Sequence, residues 1–210
     1  FLFITFMLPS IPKPKKRGSI ADPFKALSYP ALFTLGIVAL LYNFGFFTLM
    51  AYSPYVMHLD EHGLGYVFFG WGIMLAFTSV FVAPKIQARF SVVSSISIML
   101  TLFAIDLGVM AIGTLAGSPT TVIVAVIVAG IFLGINNTLI TTAVMQAAPV
   151  ERSTASAAYS FMRFLGGAIS PWLAGKLSEW YSAETPFYFG ALMVLIGVAV
   201  LIVRRRHMQD

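Results

Sequence analysis

Two ionisable side chains stand deep inside apolar runs of this sequence, and both are positions where chemistry is expected. Arg163 lies about nine residues into one run and Asp106 about fourteen into another. If the runs are helices crossing a bilayer, a rise of about 1.5 Å per residue puts Arg163 some 14 Å deep, near the midplane. The same rise puts Asp106 roughly 21 Å from the start of its own run, nearer the opposite face. A charge at such depth is costly and usually faces a cavity or a partner. Arg163 therefore reads as a substrate or coupling residue and Asp106 as a proton carrier. The competing reading of each is a packing role against backbone carbonyls and polar neighbours. Their depths differ by about 7 Å, which leaves a direct ion pair open.

Weaker signals surround this pair. Asn136 and Asn137 sit together, with Thr138, Thr141 and Thr142 following. Adjacent helical residues point about 100° apart, so only one of the two amides can face a bundle axis directly. Either could bond across helices as packing glue. Tyr42, Asn43, Phe44, Phe46 and Phe47 form an aromatic, faintly polar patch suited to an amphipathic organic ligand. His58, Asp60, Glu61 and His62 look like metal ligands on paper, but they fall in a short link without a recognisable ligand spacing, so no metal is expected. Phosphate-binding Gly-Lys loops, zinc-protease His pairs and nucleophile elbows are missing from the sequence, and no cofactor is implied. The most specific string is RFLGGAISPWLAG, from Arg163 to Gly175. Gly166 and Gly167 permit close helix contact, and Pro171 frees a backbone carbonyl near Gly167. A helix built this way packs tightly and can bend, with a cation one turn away.

Composition dictates what holds these residues. Of 210 residues, 59% are hydrophobic and 10% charged, and mean hydropathy is +0.89. A soluble domain carries about 25% charge, so a soluble globule is excluded, and disorder needs far lower hydrophobicity. There is no Cys, hence no disulfide framework and no thiolate chemistry. Six runs meet the length of about 20 residues that a spanning helix needs: 29–57, 66–83, 92–115, 120–145, 154–177 and 186–203. Pro54 is expected to bend or fray the first. Short links at 58–65, 84–91, 116–119, 146–153 and 178–185 make consecutive helices antiparallel neighbours.

Charge orients the bundle. Eleven of the 13 cations precede the first full span, lie in alternate links or follow the last span, all on one side, which the positive-inside rule assigns to the cytoplasm. The opposite links hold Asp60, Glu61 and Glu184 and no Lys or Arg. Arg163 and Lys176 are the two cations left, both inside the fifth span, where Lys176 is close enough to the outer end to snorkel. Cations spread in this way suit a lipid bilayer and not nucleic acid. Residues 9–28 mix Pro, Gly and cations and read as a basic cytoplasmic linker, with a short interfacial helix over 22–28, Asp22 as its N-cap and Pro23 at its first position. Residues 1–8 are apolar but cover only about 12 Å. They read as the tail of a truncated transmembrane helix, which makes the chain the C-terminal part of a longer protein. An interfacial anchor is the alternative. Residues 204–210 form a cytoplasmic tail.

Arg163, Gly166, Gly167, Pro171 and Gly175 resemble the eleventh helix of major facilitator superfamily transporters, especially bacterial drug:proton antiporters of the twelve-helix type. The resemblance covers the whole chain, with residues 29–203 as helices seven to twelve. It implies an all-α integral membrane fold, a six-helix bundle of two inverted three-helix repeats that is half of the transporter. The cytoplasmic link carrying Lys85 and Arg89 occupies the place of a family loop motif but lacks its acidic residue. By this resemblance the chain is half of a proton-coupled exporter of small amphipathic molecules in the cell membrane, working by alternating access with its missing N-terminal half. Tyr42, Asn43, Asn137 and Arg163 would line the cavity, Asp106 would couple protons, and Gly166, Gly167, Pro171 and Gly175 would serve packing and gating. A metabolite or sugar facilitator of the same fold is the runner-up. A non-transporting scaffold or an intramembrane enzyme is the rival of another class.

Overall fold

A computed structural model describes residues 19–147 and 149–208. The segment 1–8 and most of the linker expected over 9–28 lie outside the described residues. Helix α1, Asp22–Ala26, is shorter than expected. Ala21 is its N-cap, and Asp22 sits inside the first turn. The Asp22 carboxylate caps outward instead, accepting the Ser19 N–H at 2.6 Å.

Helix α2, Pro30–Met57, opens on a proline, whose fixed φ and missing N–H are harmless in a first turn. Pro54 does not fray it. The helix continues to Met57, because Ser53 and Met57 are buried and hold the last turn in place. It stops at His58, whose φ of 52° is left-handed. Helix α3, Glu61–Phe77, starts earlier than the hydropathy suggests, since the Asp60 side chain accepts the Gly63 N–H at 2.9 Å and caps it. Glu61 and His62 are thus in a helix, not a link. Among the described residues no group of three His, Cys, Asp or Glu could hold a metal.

The helix does not end at residue 83 either. It passes through a π-helical turn, Thr78–Val82, into α4, Ala83–Arg89. Pro84 explains the widened turn: it cannot donate to the preceding turn, and a normal α-turn would press its ring against a carbonyl there. Lys85 and Arg89 therefore ride on helix. Helix α5, Val92–Leu115, is capped by Ser91, which accepts the Ser94 N–H. Gly117, at φ 62°, makes the tight turn into α6, Pro119–Gln146. Helix α7, Arg152–Trp180, runs unbroken through Pro171, and α8, Thr185–Val203, ends in a short 3-10 turn, Arg205–Met208.

Five helical stretches are long and apolar enough to cross a membrane by length and composition, with α3 to α4 counted as one. The sixth expected span, α7, is not among them. Its 29 residues suffice, but Arg152, Arg163, Lys176, Glu179 and its serines make it too polar for an all-lipid surrounding.

The helices pair in a pattern that exchanges onto itself. Central helix α2 packs chiefly on α7 and α8, and central helix α6 on α3 and α5. Contacts place α7 parallel to α2 and α3 parallel to α6, while α5 and α8 close the bundle against each other. Swapping α2, α3, α5 for α6, α7, α8 maps each major seam onto another, as two inverted three-helix repeats require. Four of the five seams close on a glycine. A Cβ at Gly45 would meet Val194 on α8, and one at Gly113 would meet Thr121 on α6. One at Gly130 or Gly134 would strike the Trp71 or Leu75 carbonyl on α3, and one at Gly166 the Leu40 carbonyl on α2. Lipid tails supply no hydrophobic drive between helices, so such close backbone approach is what holds the seams.

Candidate functional site

Arg163 is half-buried where α2, α6 and α7 converge. Its Nε donates to Asn43 Oδ1 on α2 at 3.2 Å, and its Nη1 donates to Asn137 Oδ1 on α6 at 3.4 Å. Asn43 is fully buried, and its own Nδ2 donates to the Ala39 carbonyl at 2.9 Å, which turns Oδ1 toward the guanidinium. The guanidinium also lies over the Phe164 ring, 5.7 Å from its centroid. Three helices are thereby tied by one cation through neutral amide oxygens. The arrangement fixes the group without neutralising it.

Tyr42 joins the cluster indirectly. Its hydroxyl lies 3.1 Å from that of Tyr159, which is buried one turn before Arg163 on α7. Sequence reading missed Tyr159. Its spacing of four residues from Arg163 is the signal that places both on one helix face. A second link between α2 and α7, Tyr52 Oη to Ser178 Oγ at 2.7 Å, was equally silent in the sequence.

The asparagine pair divides as the 100° rule requires. Asn137 reaches Arg163, while Asn136 is 1% exposed and neither of its amide atoms has a partner among the described residues. Asp106 is not part of the cluster. It is buried on α5, and its Oδ2 has no partner among the described residues. The ion pair with Arg163 left open by depth is not formed. Among the described residues the one salt bridge is Lys176 to Glu179, 2.6 Å, near the end of α7.

The glycines of α7 serve different ends. Gly166 sits on the Leu40 backbone, and a Cβ at Gly167 would fall 2.6 Å from the Phe47 ring. Gly175 has open space beside it, so close packing does not account for it. Instead it lines, with Ala51, Tyr52, Tyr55, Pro171 and Ser178, an open cleft of about 370 Å³ on the α2–α7 seam. Pro171 is eight residues beyond Arg163, about 12 Å along the helix.

Comparison with known proteins agrees with this architecture. A family model described as Major Facilitator Superfamily matches residues 35–209. The multidrug efflux protein YfmO of Bacillus subtilis (strain 168) is 53% identical over 205 residues, 98% of this chain and 51% of that protein. The chain thus spans about half the length of this curated relative.

Proposed function

The chain belongs to the major facilitator superfamily, and on that premise we propose that it is the C-terminal half of an exporter of drugs or other small amphipathic organic molecules. Membership in a transporter family sets aside the intramembrane enzyme. The bilayer context follows from the apolar helices. Within our reading, residues 29–203 form the half-bundle, 9–28 a cytoplasmic linker and 204–210 a cytoplasmic tail, in the cell membrane. The N-terminal half of the complete transporter completes the cavity.

The observation that carries this reading is the Arg163 cluster. A guanidinium near mid-membrane costs on the order of 2.5–3.5 kcal/mol on insertion scales, and a purely structural bundle of Leu, Val and Phe has no need of it. Asn137 and Arg163 form the wall that substrate meets, with Asn43 buried behind the guanidinium and Tyr42 buried against Tyr159. Rocking of the two halves exposes that wall alternately to each side. Helix α7 follows the rocking, tight at Gly166 and Gly167 and able to bend at Pro171. The relative's name supports drug export over sugar or metabolite facilitation. Proton drive is our assignment, with Asp106 as the carrier, since a buried carboxyl lacking a cation partner is suited to holding a proton.

The test is saturable drug flux in proteoliposomes of the complete transporter. Arg163→Ala is expected to lower that flux at least tenfold while the protein still elutes as a single folded species in detergent. Wild-type flux at normal expression in this variant would overturn the site.

A further inference from the structure

The wall around Arg163 carries an unbalanced positive charge, and we infer that it selects amphipathic anions: an aromatic or similarly apolar body bearing a carboxylate that seats on the guanidinium. This names the substrate class of the proposed transport site and rests on that reading.

A guanidinium has five N–H donors in a fixed fork. Two are used here, on Asn43 and Asn137, and both acceptors are uncharged. The remaining donors have no partner among the described residues. Amide acceptors orient the fork but leave the whole charge in place, and a fork so held matches the two oxygens of a carboxylate.

The surrounding helices hold nothing to cancel that charge. Helices α2 and α6 contain no Asp, Glu, Lys, Arg or His. The acid on α7 is Glu179, already paired with Lys176 and about 24 Å further along the helix. Asp106 is on α5 and makes no ion pair with Arg163.

The rest of the wall suits the same ligand. The Tyr42 and Tyr159 hydroxyls pair with each other and both side chains are buried, so the ligand is left to the guanidinium and the aromatic surface beside it. Phe164 lies under the guanidinium, while Phe47 packs edge-on against Phe46, which stacks on Trp71. Aromatic surface beside a fixed cation favours an apolar anion and repels an apolar cation of the same shape.

The experiment compares three probes with one aromatic body: 2-naphthoate, 2-naphthamide and 2-naphthylmethylammonium. Their binding to the complete transporter in nanodiscs is measured by calorimetry, alongside export of a drug substrate by the same preparation. We expect the carboxylate to bind at least tenfold more tightly than the amide and the ammonium. Arg163→Lys, which keeps the charge but not the fork, should keep a reduced carboxylate preference, and Arg163→Gln should erase it. Equal or tighter binding of the ammonium by the wild-type protein would overturn the inference, as a carboxylate from the other half would do by neutralising Arg163. An unchanged preference in Arg163→Gln would overturn it as well. Drug export accompanying either result leaves the transport reading intact. Lack of both export and saturable binding removes the two together.

Discussion

At the scale of single residues, the two asparagines of α6 illustrate what a buried amide contributes. Asn137 gives its oxygen to Arg163, whereas Asn136 buries both amide atoms unpaired. An unsatisfied buried polar group costs about 1–3 kcal/mol, and replacing it with an apolar group of similar shape removes that cost. Asn136→Leu should therefore leave the melting temperature in detergent unchanged or higher, with flux retained. Asn137→Leu should cut flux about tenfold by releasing the guanidinium. Opposite signs at neighbouring positions separate glue from site, and loss of stability in Asn136→Leu would show that its amide finds a partner. Asp106 is argued in the same terms. If it holds the coupled proton, Asp106→Asn preserves a neutral, hydrogen-bonding side chain and should fold normally. Its export should no longer respond to an imposed pH gradient. Gradient-driven export at the wild-type rate would assign Asp106 to packing alone. The sequence showed Arg163, Asn137 and Asp106 because their types are out of place in apolar runs. It could not show that Asn43 orients on Ala39, nor that Tyr159 meets Tyr42. The first is a choice of rotamer within one helix, and the second depends on which helices adjoin, since residues 42 and 159 lie on α2 and α7.

At the scale of elements, hydropathy located each long helix but not its ends. Apolar runs report where lipid or core begins, while Asp60, Ser91 and Pro84 report where hydrogen bonding allows a helix to begin or bend. The first signal misses the continuous α3–α4 stretch by several residues at both ends, because a polar first turn and a cationic last turn are compatible with helix. The seams were legible only in part. Gly166 looks like Gly175 in the sequence, yet one lies against backbone and the other beside open space. Gly166→Ala must displace the Leu40 carbonyl, so it should destabilise by about 1–3 kcal/mol, the usual range for overpacking. Gly175→Ala should stay within about 0.5 kcal/mol of the parent. Gly130→Ala, against the Trp71 carbonyl, should behave like Gly166→Ala. Thermal unfolding in one detergent ranks the three, and a stable Gly166→Ala would show that the α2–α7 seam is looser than its geometry.

At the scale of the whole molecule, charge and polarity point to two different surroundings. Along α3 only Val67 is buried, and Tyr66, Phe69, Ile73 and Phe77 are exposed, a surface that lipid or protein could equally cover. Helix α7 differs, since half-buried Arg163 and several polar residues share it with the exposed Phe161, Phe164 and Trp172. In the reading proposed above, the surface around Arg163 is one wall of a cavity, and alternating access needs a facing wall as well. Residues 1–210 alone, reconstituted in liposomes, should show no substrate-dependent flux above empty vesicles. The bundle should still insert with the charge-determined orientation, because the segregation of loop cations is a property of this chain. The sequence has no Cys, so single Cys substitutions at Glu61 and Arg205 report sidedness without background. A Cys at 61 should react with an impermeant maleimide from outside intact cells, and one at 205 only after the membrane is opened. The reverse pattern would invert the topology. Saturable flux by the isolated chain would mean that two copies supply each other's missing wall, and crosslinking through the same cysteines would then trap a dimer.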